Sequence, residues 1–222
     1  MARAPQRPVS RRTAMAEIAR GAGAVCLGGL SLAALVEMAS RADARALRPP
    51  GALPEDEFLS ACVHCGLCVQ ACPYDTLSLA HWGQEAPVGT PFFTPRSTPC
   101  YMCKDIPCAR ACPTGALDSA LPDIRDADMG VAVLVGHEDC LNFKGMNCSI
   151  CVRVCPVRGS AITLEPGEVN GRQILIPTVH SDHCTGCGTC EKHCVTGHAS
   201  IRVLPRDLGL GGRGRNAAGR AT

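Results

Sequence analysis

The chain has 222 residues and a nearly balanced charge, 22 Lys and Arg against 20 Asp and Glu, which excludes a nucleic-acid binder that relies on a strongly basic surface. It holds 17 Cys but only four Phe, two Tyr and one Trp, so a conventional aromatic core is excluded too and cysteine chemistry takes its place.

Residues 1–44 read as an export signal. Ser10-Arg11-Arg12-Thr13 supplies a twin-arginine pair, Gly21 to Val36 an apolar Gly/Ala/Leu-rich stretch, and Ala42-Asp43-Ala44 a small-x-small cleavage site. Cleavage is expected after Ala44 or Ala46. The competing reading is a retained anchor, against which stand the segment's Gly content and Glu37 at its end. Ala14 and Met15 stand where the twin-arginine pattern usually has Phe and Leu, and Cys26 inside the segment has no neighbouring cysteine. Without residues 1–44 the charge is 16 basic against 17 acidic side chains.

The remaining sixteen cysteines fall into four runs. Cys62, Cys65, Cys68 and Cys72 have the spacing C-x2-C-x2-C-x3-C-P, the ligand run of a bacterial [4Fe–4S] ferredoxin. Cys100, Cys103, Cys108 and Cys112 repeat it with one stretched gap, and Cys140, Cys148, Cys151 and Cys155 with a seven-residue first gap. Cys184, Cys187, Cys190 and Cys194 return to the first spacing, with Val195 in place of Pro. Short gaps let one turn aim three thiolates at one cubane, and the fourth cysteine, expected to open a helix leading away, ligates the other cluster of a pair. Four [4Fe–4S] clusters are therefore expected. At roughly −2 each when oxidised, they would bring residues 45–222 to about −9. Structural zinc is the competing reading, but it is normally bound by separated Cys pairs rather than by three-plus-one runs. No C-x-x-C-H marks a covalent haem.

The two halves of the inference support each other. An unfolded chain threaded into an oxidising compartment would expose sixteen thiols to disulfide chemistry, whereas twin-arginine export carries a protein already folded around its metal. A periplasmic location, peripheral to the inner membrane, is expected.

Along the rest of the chain, Arg48-Pro49-Pro50-Gly51 reads as a linker and Pro54-Glu55-Asp56-Glu57 as a helix start, with Phe58 packing on the first cluster. Val131–Val135 and Ile174–Val179 read as strands entering the third and fourth runs. Thr76–Leu79, Ala116–Leu117, Ala161–Leu164 and Ser200–Leu204 are apolar segments leaving the runs. Strand, cysteine loop, helix and strand is half of a ferredoxin-like unit, so the expected class is α+β, with two ferredoxin modules in residues 45–205. The intervals between runs, 27, 27 and 28 residues, do not say which halves pair. Because the outer runs share one spacing and the inner two carry insertions, a nested arrangement is favoured, with an outer module of 55–85 plus 174–205 around an inner module of 95–165. Phe92 and Phe93, in the loop from Trp82 to Pro99, read as packing beneath a cluster loop. Residues 206–222, rich in Gly and Arg, read as a disordered tail whose G-x-G-x-x-G has no flanking strand or helix and is no nucleotide site. His64, His183 and His193 lie beside ligand cysteines and read as solvated spacers rather than redox partners. No catalytic constellation or substrate motif is present, so a non-enzymatic electron carrier is expected.

RPPGA at 48–52, ACVHCGLCVQACPYDTL, MGVAVLV before CLNFKGMNCSICVRVCP, and IPTVHSDHCTGCGTCEKHCV closely resemble the MauM/NapG family of ferredoxin-type proteins, of which NapG serves periplasmic nitrate reduction and MauM methylamine utilisation. The NapG branch is the expected one. The resemblance implies a carrier that takes electrons from a membrane quinol-oxidising partner of NapH type and passes them towards a periplasmic multihaem cytochrome and the nitrate reductase. It also implies the sixteen cysteines as ligands of four [4Fe–4S] clusters. Four-cluster subunits of the DMSO-reductase type pair outer run with outer, which agrees with nesting.

Overall fold

The structure is a computed structural model that describes residue 15 and residues 46–211 apart from 85 and 170. The chain divides into a unit of residues 1–41 and a unit of 42–222. The twin arginines, the apolar stretch and residues 212–222 lie outside the described residues.

Two modules follow one another within the second unit, each built on the same plan. In the first, helix α1 (Glu55–Ala61) leads into the first cysteine run, helix α2 (Leu67–Gln70) lies inside that run, and strand β1 (Ser78–Leu79) leaves it. Strand β2 (Pro91–Phe92) pairs antiparallel with β1 and leads to the second run, which contains helix α3 (Pro107–Arg110). An antiparallel bridge between Ala52 and Leu117 ties the entry of the module to its exit.

The second module repeats this with longer strands. Strand β3 (Val131–Leu134) enters the third run, which holds helix α4 (Ile150–Arg153). Strands β4 (Ile162–Val169) and β5 (Arg172–Val179) form a hairpin, helix α5 (Thr189–Lys192) sits in the fourth run, and strand β6 (Ile201–Leu204) returns to pair antiparallel with β3. The hairpin continues through Pro166 and Gly167; Gly167 leaves room for Ile176, whose Cδ1 lies 2.3 Å from where a Cβ at 167 would stand. Gly171 adopts φ +74 at the turn, the left-handed backbone that favours glycine.

Several expectations are met by these elements. The acidic first turn of α1 is present, Phe58 is fully buried, and Phe93 is buried beneath the second run. The expected strands at 131–135 and 174–179 correspond to β3 and β5.

Four expectations are corrected. The nested arrangement does not occur: β1 pairs with β2 and β4 with β5, so run one joins run two and run three joins run four. The insertions carry no pairing information because loops absorb them; Asn142 Oδ1 accepts the Cys148 N–H at 2.6 Å and closes the long gap of the third run locally. The fourth cysteine of a run closes its short helix rather than opening one.

Residues 48–51 are no linker either. Arg48 is buried, donates to Thr90 Oγ1 at 2.8 Å and Pro91 O at 3.0 Å, pairs with Glu55 and lies over the Phe58 ring. The tail begins ordered: helix α6 (Arg206–Gly209) is held by Arg206, which donates to Asp128 Oδ2 at 2.7 Å, Ser181 O at 2.8 Å and Cys184 O at 2.9 Å. Gly209 lies so close to Val131 that no side chain fits between them. No helix among the described residues is long and apolar enough to cross a membrane.

Candidate metal centres

The sixteen cysteines line four separate cavities, four to each, and all are free thiols. Centre I gathers Cys62, Cys65, Cys68 and Cys112; centre II, Cys100, Cys103, Cys108 and Cys72. Centre III gathers Cys184, Cys187, Cys190 and Cys155; centre IV, Cys140, Cys148, Cys151 and Cys194. Each takes the first three cysteines of one run and the fourth of its partner run. The exchange follows from helix geometry, because a three-residue gap sets the third and fourth cysteines of a run about one turn apart on a short helix. Cys68 and Cys72 thus reach into neighbouring cavities.

The four centres lie in a row. Cys68 of centre I is near enough to Cys108 of centre II to raise its pKa by repulsion, and Cys151 of centre IV acts likewise on Cys190 of centre III. The middle step crosses from module to module, where the Cys100 N–H donates to Cys187 O at 2.8 Å. Across that seam Thr185 Oγ1 donates to Met102 Sδ at 3.7 Å, and Gly188 abuts Pro95. Within the second module, Thr185 O accepts the Met129 N–H at 3.0 Å and Gly186 abuts Gly130. Arg96, from the first module, donates to Glu191 O and Cys194 O at 2.8 Å and to Thr196 O at 3.0 Å.

The donor set fits [4Fe–4S] groups. The four cavities are alike in size, with ≈ 400, 390, 390 and 340 Å³ of space between protein atoms, part of it open to solvent, at centres II, III, IV and I, as expected if one kind of guest fills all of them. Each cavity is lined by three cysteines of one run and a fourth from another, the donor set of a [4Fe–4S] cluster rather than the separated pairs of a zinc site. Asn142 Nδ2, buried in the wall of centre IV, has no hydrogen-bond partner among the described residues; a cluster sulfur would give it an acceptor.

Burial pushes the Cys68 thiol up to about 11, and those of Cys100 and Cys108 to about 12. Bare thiolates are therefore costly here, and bound iron would supply the positive charge that offsets them. Cys112 and Cys194 go the other way. Burial acts to raise each, but backbone N–H groups and the hydroxyls of Thr114 and Thr196 outweigh it and hold both below the usual thiol value. Buried Glu191, raised by burial, accepts the Val203 N–H at 2.7 Å. Neither Glu191 nor Arg96 carries a sequence signal for its role, since Arg96 is read by backbone carbonyls far along the chain. Of the histidines, His64 lines centre I at φ 55, His193 bonds Thr189 O through Nδ1, and His183 faces an open polar groove.

A family model described as a 4Fe-4S dicluster domain matches residues 61–116 and 144–198, one match to each module. Across 97% of its length the chain is 76% identical to the methylamine utilization ferredoxin-type protein MauM of Paracoccus denitrificans, covering 96% of that protein. It is 50% identical over 97% of its length to the ferredoxin-type protein NapG of Escherichia coli, covering 94% of it. The chain belongs to the MauM/NapG family of ferredoxin-type proteins. To the MauM of Methylorubrum extorquens it is 70% identical over 98% of both chains. A MauM/NapG protein is an iron–sulfur electron carrier of ferredoxin type, and this chain's two dicluster matches divide it where the cavities do.

Proposed function

We propose that this protein is a non-catalytic electron carrier that holds four [4Fe–4S] clusters in a row, ligated by the sixteen cysteines of centres I to IV, and that it serves methylamine utilisation. The observation that carries the reading is the row of four-cysteine cavities, continuous across the module seam. Such a chain of centres has use only as a path for electrons between two other proteins. The pathway rests on relatedness: four MauM proteins are 57–76% identical to this chain and three NapG proteins 47–50%. The second reading, transfer from a quinol-oxidising membrane partner of NapH type towards a periplasmic multihaem cytochrome and nitrate reductase, is favoured by the NapG matches alone.

Deleting the gene from its host decides between them. Growth with methylamine as the amine source should be lost while periplasmic nitrate reduction continues; the converse result would move the protein to the nitrate pathway. The purified protein should be brown and carry iron and acid-labile sulfide, whereas a zinc-stabilised protein would be colourless and redox-silent.

Export through Arg11 and Arg12 belongs to the same proposal. Changing both to Lys should leave a folded, brown precursor in the cytoplasm. Mature protein accumulating in the periplasm as before would remove the twin-arginine route from the account.

A further inference from the structure

The four centres differ in what touches their sulfurs. At centre I, Cys112 Sγ lies 3.7 Å from Thr114 Oγ1; at centre III, Cys187 Sγ lies 3.5 Å from Thr189 Oγ1; at centre IV, Cys194 Sγ lies 3.0 Å from Thr196 Oγ1. A ligand thiolate has no proton, so in the loaded protein the hydroxyl is the donor. Thr196 divides its hydroxyl between Cys194 and His198 O. Centre III also receives the Ala132 N–H at Cys184 Sγ, 3.4 Å away, and centre IV has the free Asn142 amide in its wall.

At centre II the donors are backbone N–H groups alone, those of Met102 at Cys100 and Ala109 at Cys108 among them. Among the described residues no side-chain hydroxyl or amide hydrogen-bonds to the sulfur of Cys72, Cys100, Cys103 or Cys108. Instead its cavity wall includes Tyr74 and Tyr101, whose rings stack with centroids 4.4 Å apart and planes at 28°. Tyr74 comes two residues after Cys72 and Tyr101 directly after Cys100, so the stack lies against both ligands' loops. Tyr74 and Tyr101 are 49% and 54% exposed, so each is half covered while lining the cavity. The Asp105 carboxylate adds repulsion at Cys103.

We infer that centre II is the lowest-potential station of the row, and that the Tyr74–Tyr101 stack sets it low by keeping water from its cluster. The inference rests on the electron-carrier reading above. One-electron reduction takes a four-thiolate cluster from about −2 to about −3, and water, hydrogen-bond donors and positive charge each stabilise the reduced form. Centre II is screened from the first, lacks the second as side-chain donors, and has a negative group beside it. An electron crossing the row must therefore climb at centre II before it can pass the seam to centre III.

The test is a redox titration of the holoprotein followed by electron paramagnetic resonance, with iron content measured on each sample. In Tyr74→Ser/Tyr101→Ser the most negative of the four steps should move positive, and in Asp105→Asn the same step should move in the same direction by less. Thr189→Val should move a different step, and negative. If the double variant binds fewer clusters, Tyr101→Ser alone is read in the same way. A double variant with full iron content whose most negative step stays in place, or in which another step moves instead, would overturn the inference. These outcomes concern the potential of one cluster; failure of the pathway reading would show in the growth test and leave the titration unchanged.

Discussion

Cys72→Ala should strip the cluster of the second run, not of the last. Cys72 lines the same cavity as Cys100, Cys103 and Cys108, so its loss leaves three thiolates at centre II and all four at each of the others. Iron and acid-labile sulfide should fall by about a quarter, and the resonance signals of the remaining three centres should persist. Electron transfer through the protein should fail almost completely despite that modest loss of iron, because centre II is the only station between centre I and the seam. Cys62→Ala, at the end of the row, should remove as much iron and still leave transfer through centres II to IV intact for a donor that reaches them. Altered signals from the cluster held by Cys184, Cys187 and Cys190 in the Cys72 variant would restore the nested pairing.

Gly186→Ala should prevent the second module from retaining its clusters. Gly186 adopts φ +74, and a Cβ there would stand 2.6 Å from both Gly130 N and Gly130 O. The positive φ alone costs an L-residue about 1–2 kcal/mol. The contact with backbone adds overpacking of about 1–3 kcal/mol, since neither partner can swing away as a side chain would. A total of about 2–5 kcal/mol is a large share of the stability of a small domain. Gly159→Ala is the matched control, because φ is +84 there but nothing lies within 4 Å; it should lose only the conformational part. The two variants are compared by the rate at which the visible absorbance of the clusters decays in denaturant. Equal decay rates would mean that the close approach to Gly130 is relaxed at no cost.

Much of this architecture was legible in the residues. The cysteine runs state their own chemistry, and β-branched residues mark Val131–Leu134 and Arg172–Val179, because both signals are local. What was hidden is whatever depends on contacts far along the chain. Pairing of the runs is decided by β1 meeting β2 and β4 meeting β5, whereas the insertions that suggested nesting close on themselves, as at Asn142. Arg48 looked like part of a proline linker, since nothing in RPPG announces that Thr90 and Pro91 will accept its guanidinium. Arg96 and Arg206 were unreadable for the same reason, as backbone carbonyls of any residue type can receive them. The division of the centres among the cysteines follows from a helical turn inside each run. That sharing was legible in the spacing of each run; the position of the helix, before the fourth cysteine rather than after it, was not.

The two modules are built alike and meet through equivalent stations, centre II of one against centre III of the other. A conductor of two such halves joined middle to middle begins and ends with the same kind of centre, so its backbone plan gives current no preferred direction. Polarity has to come from where the halves have diverged. The largest divergence in the chain trace is the β4–β5 hairpin, eight residues on each strand where β1 and β2 have two. Its Pro177 reaches the wall of centre IV, and Leu175, two residues before it, remains 45% exposed. A protein meeting this carrier can therefore distinguish one terminus of the circuit from the other by touch, before any electron has moved.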